Sequence, residues 1–453
     1  MPQSNFKNSA ARTYLIHIGL FLLTVVTTTM AGAEWMFGNF FSLIFTFQNA
    51  LGWQEFWQGL YFSIPFLGIL TVHEFGHYFT ARAYKVGVSL PFYIPLWLGW
   101  LPGLSSLGTM GAFIRLKSVP ESRQQYFDIG IAGPLAGFAL ALGVLFYGYT
   151  HLPPKEHIFT IHPQYQAYGL DYEKHVYTYD FMRSQDSLLH HKMQQDSVLS
   201  AKSQGKTYQP SKFQPRFSYG MEYLGSNLLL KFFSEVVAPD KSLVPNPHEM
   251  MHYPLLLAGY FALFFTALNL IPIGQLDGGH ILYSLIGSRR HSKVSPALLV
   301  GFMTYAGLGL FTPQSFMGNE VTMPNFLDML GSYSGLGGND LVYLNQVGWL
   351  ALYVGFLYLT FRRMVETKQT AWLISLAIVA VQMLTSTIFP QLQGARFLLV
   401  FLFVLGRFLG VYHPPALYDE PLDWKRQVLG WFALVVFVLC FTPEPLVFTE
   451  VMR

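Results

Sequence analysis

His73, Glu74 and His77 stand in GILTVHEFGHYFTARAY, residues 68–84, at a spacing that suits metal binding. Residues four apart project from one face of a helix, so the two imidazoles can grip one ion with Glu74 beside them. This H-E-x-x-H order is a zinc-protease pattern. Zinc so held lowers the pKa of a bound water and polarises a scissile carbonyl. The glutamate then takes the water's proton and passes it to the leaving amine. A lone H-E-x-x-H also arises by chance on soluble helices. Here it lies in an apolar run, where three ionisable groups on one turn are expensive unless paired or metal-bound.

A catalytic zinc has three protein ligands and an open position, so a third ligand must come from elsewhere. Asp277 is the strong candidate, in TALNLIPIGQLDGGH, residues 266–280. Pro272 cannot donate a backbone hydrogen bond and disrupts the helix, while Gly278 and Gly279 let the backbone kink or approach a neighbour closely. Such breaks persist at membrane depth only where protein or water satisfies the freed groups. The competing reading of Asp277 is an interfacial carboxylate paired with Arg289 or Arg290.

The elements that must position these groups are membrane helices. Of 453 residues, 52% are hydrophobic, 17% aromatic and only 12% charged, the balance of a polytopic membrane protein. A net charge of +3, without a long basic run, excludes a nucleic-acid partner. The single cysteine, Cys440, excludes an intrachain disulfide and a cysteine metal site. Apolar runs of spanning length lie at 13–32, 56–82, 129–150, 253–287, 294–312, 342–361 and 371–389, with weaker ones at 397–411 and 428–442. The expected fold class is an all-α polytopic membrane protein of eight or nine transmembrane helices. The first run also resembles a secretory signal, but its length favours a retained helix.

Lys and Arg set the orientation. Arg82, Lys85, Arg115, Lys117 and Arg123 share one connection, Arg289, Arg290 and Lys293 a second, and Arg362, Arg363 and Lys368 a third. All three become cytoplasmic, as does the N-terminus, in a cell membrane. Segments 33–55 and 313–341 contain no Lys or Arg and read as outer loops. The helices bearing His73 and Asp277 then run the same way, and their polar groups meet at one depth. The polar stretch 151–252 is extracytoplasmic and holds eight of the 14 histidines: His151, His157, His162, His175, His190, His191, His248 and His252. A metal-sequestering loop is one reading, and irregularly spaced, solvated histidines are the preferred one. Its middle, from His190 to Pro215, reads as loosely ordered, and GSNLLLKFFSEVVAP as an amphipathic surface helix.

Three segments, HEFGHYFTARAYKVGVSLPFYIP, GTMGAFIRLKSVPESRQQYFDIGIAGPLAGF and LNLIPIGQLDGGH, together resemble the site-2 proteases, the intramembrane zinc metalloproteases. The resemblance is to the branch of plastid, archaeal and bacterial homologues without a PDZ domain, and it covers about Phe56 to Gly287. It implies one zinc per chain, with His73 and His77 as the histidine ligands and Glu74 as acid/base. Asp277 becomes the ligand of an N-x-x-P-x-x-x-x-D-G pattern, here Asn269, Pro272, Asp277 and Gly278. Asn269 by resemblance helps hold the oxyanion, and an amide bonded to a neighbouring helix is the alternative. Residues 108–116 form a re-entrant hairpin in which Gly108, Gly111 and Phe113 bind substrate as an added strand, or else an ordinary connection. Gly133 and Gly137 have small-xxx-small spacing and suit close helix packing.

The domain division follows: 1–55, N-terminal helix and outer segment; 56–150 and 253–293, protease core; 151–252, insertion; 294–453, C-terminal helices. The leading function is zinc-dependent endoproteolysis in or near a transmembrane segment of a membrane-protein substrate. The alternative is a metal-ion transporter or sensor using the same His and Asp residues. Glu74 discriminates, because transport needs ligands whereas hydrolysis also needs a base that is not one. No internal repeat of the transporter kind relates the halves.

Overall fold

The computed structural model describes residues 3–38, 51–99, 106–203, 211–214, 218–312 and 339–452. The expected outer loops fall largely outside these residues. Helix α1 (Gln3–Phe37) is followed by α2 (Leu60–Ala83) and α3 (Arg123–Thr150). Later come α4 (Tyr179–Ser203), α5 (Pro254–Asn269), α6 (Asp277–Ile286) and α7 (Ser288–Ala306). The C-terminal part holds α8 (Asn339–Phe361), α9 (Lys368–Ile388), α10 (Phe397–Val404) and α11 (Trp424–Cys440).

The protein is a helical membrane protein. Among the described residues, Arg12–Phe37, Arg123–Thr150 and Lys368–Ile388 are long and apolar enough to cross a bilayer. Of the other expected runs, 56–82 and 342–361 are carried by the continuous helices α2 and α8, and several of the rest are shortened or interrupted. The run 253–287 breaks into α5 and α6 at the Pro272 turn, and 397–411 passes from α10 into a π-helical turn, Leu405–Leu409.

Burial follows helical periodicity. On α2, Phe62, Phe66, Ile69, His73 and His77 share one buried stripe, and it packs against Phe127, Ile131 and Phe138 of α3 and Leu257, Phe261 and Ala262 of α5. A second core gathers Leu299 and Met303 of α7 with Leu357 and Phe361 of α8 and Leu398 and Leu402 of α10. The C-terminal helices therefore form their own apolar unit against the first.

Two small sheets interrupt the helical pattern. Strands β1 (Phe92–Leu96) and β2 (Gly108–Phe113) pair antiparallel, with an irregularity between Tyr93 and Pro95. The hairpin expected within 108–116 is instead a single strand, β2, whose partner β1 lies earlier in the chain, and it is seated on α1, where the Thr27 hydroxyl donates to the Gly108 carbonyl at 2.7 Å. α1 is thus part of the fold. The second sheet was not expected: β3 (Ser218–Leu224), in the insertion, pairs antiparallel with β4 (Leu446–Met452).

The described part of the insertion is more ordered than its composition implied, while 204–210 and 215 of the stretch expected to be loose lie outside the described residues. Residues 190–203 continue α4, and Ile158, Tyr165, Tyr172, Val176 and Phe181 make a small aromatic core. The amphipathic segment is the short helix Leu228–Phe232 and a π-helical turn to Val237, with Leu230 and Phe233 turned inward and Leu228, Phe232 and Val236 exposed. Solvation does not describe every histidine there. His252 is only 8% exposed, whereas His151, His175 and His191 are exposed.

Candidate metal centre

Helix α2 carries His73, Glu74 and His77 into the interior, where they are 5%, 4% and 6% exposed. The close approach of α3 makes this burial. A Cβ on Gly133 would stand 2.1 Å from His77 Nε2, and one on Gly137 would stand 3.0 Å from the His73 Cβ. Glycine at these two positions leaves room for the imidazoles, which is the packing role their spacing suggested.

Asp277 arrives from the broken helix. After α5 the chain turns through Gly274 at φ +63°, whose amide donates to the Ser295 hydroxyl at 3.0 Å, and α6 starts at Asp277. A Cβ on Gly278 would lie 2.0 Å from the Leu270 carbonyl oxygen and one on Gly279 2.4 Å from that of Gly274. Only glycine lets α6 begin this close to the turn. The far end of α6 is capped by Arg123, which donates from Nε to the Ser284 carbonyl at 2.6 Å and from Nη2 to that of Leu285 at 3.1 Å. A cation at a helix C-terminus satisfies both the orphan carbonyls and the dipole.

Three ligand atoms converge. His73 Nε2 and His77 Nε2 are 3.1 Å apart, and Asp277 Oδ2 lies 3.4 Å from the first and 3.3 Å from the second. Neighbouring nitrogens on a tetrahedral zinc stand about 3.3 Å apart, so the triangle fits such an ion. His77 Nδ1 lies 2.7 Å from the Ile129 carbonyl, and donation there leaves Nε2 with its lone pair towards the site. Glu74 Oε1 is 3.9 Å from His73 Nε2 and outside the triangle. The ion-pair alternative for Asp277 is not what the structure contains, since its carboxylate faces the imidazoles.

Beside the triangle is a cavity of about 250 Å³, lined among others by Glu74, Ala112, Phe113, Ile114, Asn269 and Asp277. Asn269 Nδ2 lies 3.3 Å from His73 Nε2. Of the three hairpin residues expected to meet substrate, only Phe113 lines the cavity. Gly108, at φ +76°, is pressed against the α1 backbone, and Gly111, at φ +109°, shapes the strand. Their positive φ angles serve the hairpin's path.

Other cavity residues escaped the sequence reading. Gln275, Tyr126 and His280 all line it. His280 had a signal, since it follows Asp277 by three residues on the same helix. His413, in the loop before α11, had none; its Nε2 is 2.7 Å from His280 Nδ1, and its ring stacks on Tyr283. Burial, and then the neighbouring His280, push His413 down to about 3, so it is neutral and adds no charge beside the ligands. The segment HPPALYDEP thereby packs against the α6 side of the cavity.

A family model for peptidase family M50 matches residues 61–310, more than half of the chain. The chain belongs to peptidase family M50. It is therefore of the site-2 protease type, and the EGY proteins among its curated relatives are named as chloroplastic. A probable chloroplastic zinc metalloprotease EGY1 of Oryza sativa subsp. japonica is 28% identical over 329 residues, 69% of this chain and 43% of that protein. The EGY1 of Arabidopsis thaliana is 27% identical over 244 residues, 54% and 32% of the two chains. A probable zinc metalloprotease EGY2 of Oryza sativa subsp. indica is 24% identical over 267 residues, 59% and 36%. The M50 chain thus matches well under half the length of these relatives. No solved structure matches it significantly.

Proposed function

We propose that this M50 chain is a zinc-dependent intramembrane endopeptidase that hydrolyses a peptide bond in or near a transmembrane segment of another membrane protein. The observation that carries the reading is the convergence of His73 Nε2, His77 Nε2 and Asp277 Oδ2 beside a carboxylate, Glu74, that stands apart from them. His73, His77 and Asp277 would hold the ion, which when bound supplies Lewis acidity towards water and the scissile carbonyl. Glu74 takes a proton from the attacking water and returns it to the leaving nitrogen, a role that requires a carboxylate outside the ligand set. Asn269 presents an amide N–H₂ to the cavity, suited to the developing oxyanion.

The substrate segment must be unwound before its backbone can react. Strand β2 has one partner, β1, among the described residues, so its second edge can pair with an extended peptide while Ala112 and Phe113 face the cavity. In this reading the hairpin is re-entrant, 56–150 and 253–293 form the protease core, and the other segments regulate or shield it. The broken and shortened helices complete the eight or nine crossings, with the N-terminus and cationic connections cytoplasmic in a cell membrane.

The test is to purify the chain in detergent, measure zinc, and compare wild type with Glu74→Gln on a panel of helix-destabilised transmembrane peptides. Zinc retained in both, with cleavage by the wild type alone, supports the reading and separates it from metal transport, which has no use for a base. Loss of His73-dependent zinc binding in an intact, folded preparation sinks it.

A further inference from the structure

The insertion contains a second triangle of the same dimensions as the first. His162 Nε2 and His252 Nε2 are 3.1 Å apart, and Glu249 Oε2 lies 3.6 Å from the former and 3.3 Å from the latter. His252 Nδ1 is 2.6 Å from the Met36 carbonyl at the end of α1, as His77 Nδ1 is held by Ile129. Donation to Met36 leaves the His252 Nε2 lone pair aimed at Glu249 and His162. On Glu249 the Tyr177 hydroxyl donates to Oε1, while Oε2 is buried without any hydrogen-bond partner and the residue is 2% exposed. A buried carboxylate oxygen that makes no hydrogen bond and has two imidazole nitrogens as its nearest partners needs positive charge among them, which a bound metal ion or a protonated imidazole supplies.

We propose that His162, Glu249 and His252 form a second metal site, distinct from the His73 site, that takes a zinc-class divalent transition ion. Two imidazoles and one carboxylate select such an ion over calcium or magnesium, which prefer all-oxygen shells. Glu249 and His252 are three apart on one tight turn, Met250–His252, that leads into α5, whereas His162 comes from the start of the insertion. The ion would therefore cross-link the insertion to the entry of α5 and, through Met36, to α1. An adjoining cavity of about 510 Å³, lined by Tyr165, Tyr177 and the three ligands among others, gives water access to the open position.

Metal content of the full chain in detergent tests this, after equilibration with zinc and removal of the excess. Wild type should hold two zinc ions, a His162→Ala/His252→Ala variant one, and a His73→Ala/His77→Ala variant one. Glu249→Gln, which preserves shape, guards against misfolding of the alanine variant and should weaken one of the two sites at least about ten-fold. Chelation should also speed proteolysis of the insertion in wild type but not in Glu249→Gln. One zinc in wild type that is lost from the His73→Ala/His77→Ala variant and unchanged in the other two overturns the second site while leaving the first intact. One zinc that survives in His73→Ala/His77→Ala and is lost in His162→Ala/His252→Ala supports the second site and removes the first. No zinc in folded wild type overturns both.

Discussion

Gly133→Ala should disable the His73/His77/Asp277 site while leaving the helices folded. The added Cβ would fall 2.1 Å from His77 Nε2, and ordinary contact begins at 3.4 Å, so the imidazole must retreat by 3.4 − 2.1 = 1.3 Å if the backbone holds. Ligand distances in a metal site tolerate about 0.2 Å, so that retreat removes a ligand. Loss of an outer-shell partner alone costs about 10- to 100-fold in affinity, and loss of His77 should reach at least the upper end of that range. Stability should move little, because replacing a mid-helix glycine by alanine gains about 1 kcal/mol while overpacking costs about 1–3 kcal/mol. Two further glycines of α3 grade the effect. At Gly137 the Cβ would meet the His73 Cβ at 3.0 Å, and at Gly143 nothing lies within 4 Å. Zinc affinity, measured by chelator competition beside thermal unfolding in the same detergent, should fall in the order Gly143→Ala, Gly137→Ala, Gly133→Ala. If Gly133→Ala binds zinc at the His73 site as tightly as Gly143→Ala, the packing argument is wrong.

Two further outcomes concern how the site is held. Arg123→Ala leaves the Ser284 and Leu285 carbonyls at the end of α6 without their donors and should cost about 2–3 kcal/mol, read as a lower unfolding temperature; Arg123→Lys should recover only part, since an ammonium cannot present the guanidinium's fork. Arg426 binds Asp128 of α3 in a bidentate pair, with both N–O distances 2.8 Å, while the Tyr84 hydroxyl also donates to that carboxylate. The pair is partly exposed, so Arg426→Ala should cost about 1–2 kcal/mol, less at high salt, and a cost unaffected by salt would contradict an ionic role for it.

What the sequence determined by itself was local and chemical. The four-residue spacing of His73 and His77, the neighbouring Glu74, the Pro272 break and the double glycine before His280 each constrain one turn of backbone, and such constraints are legible without coordinates. Apolar runs likewise announced a helical membrane protein, and the small-residue spacing of Gly133 and Gly137 announced a tight crossing. Tertiary structure decided everything that joins segments distant in the chain. It brought Asp277, which the motif had already paired with the histidines, to 3.3–3.4 Å from both, and of the three hairpin residues named in advance it put Phe113 on the cavity. It also brought His413 to His280, paired β3 with β4, and gathered His162, Glu249 and His252 from the two ends of an insertion whose histidines show no periodic spacing. These contacts depend on how helices and loops pack across long sequence separations. No periodicity or motif records that, because the free energy of such a contact belongs to the assembled pair and to neither segment alone.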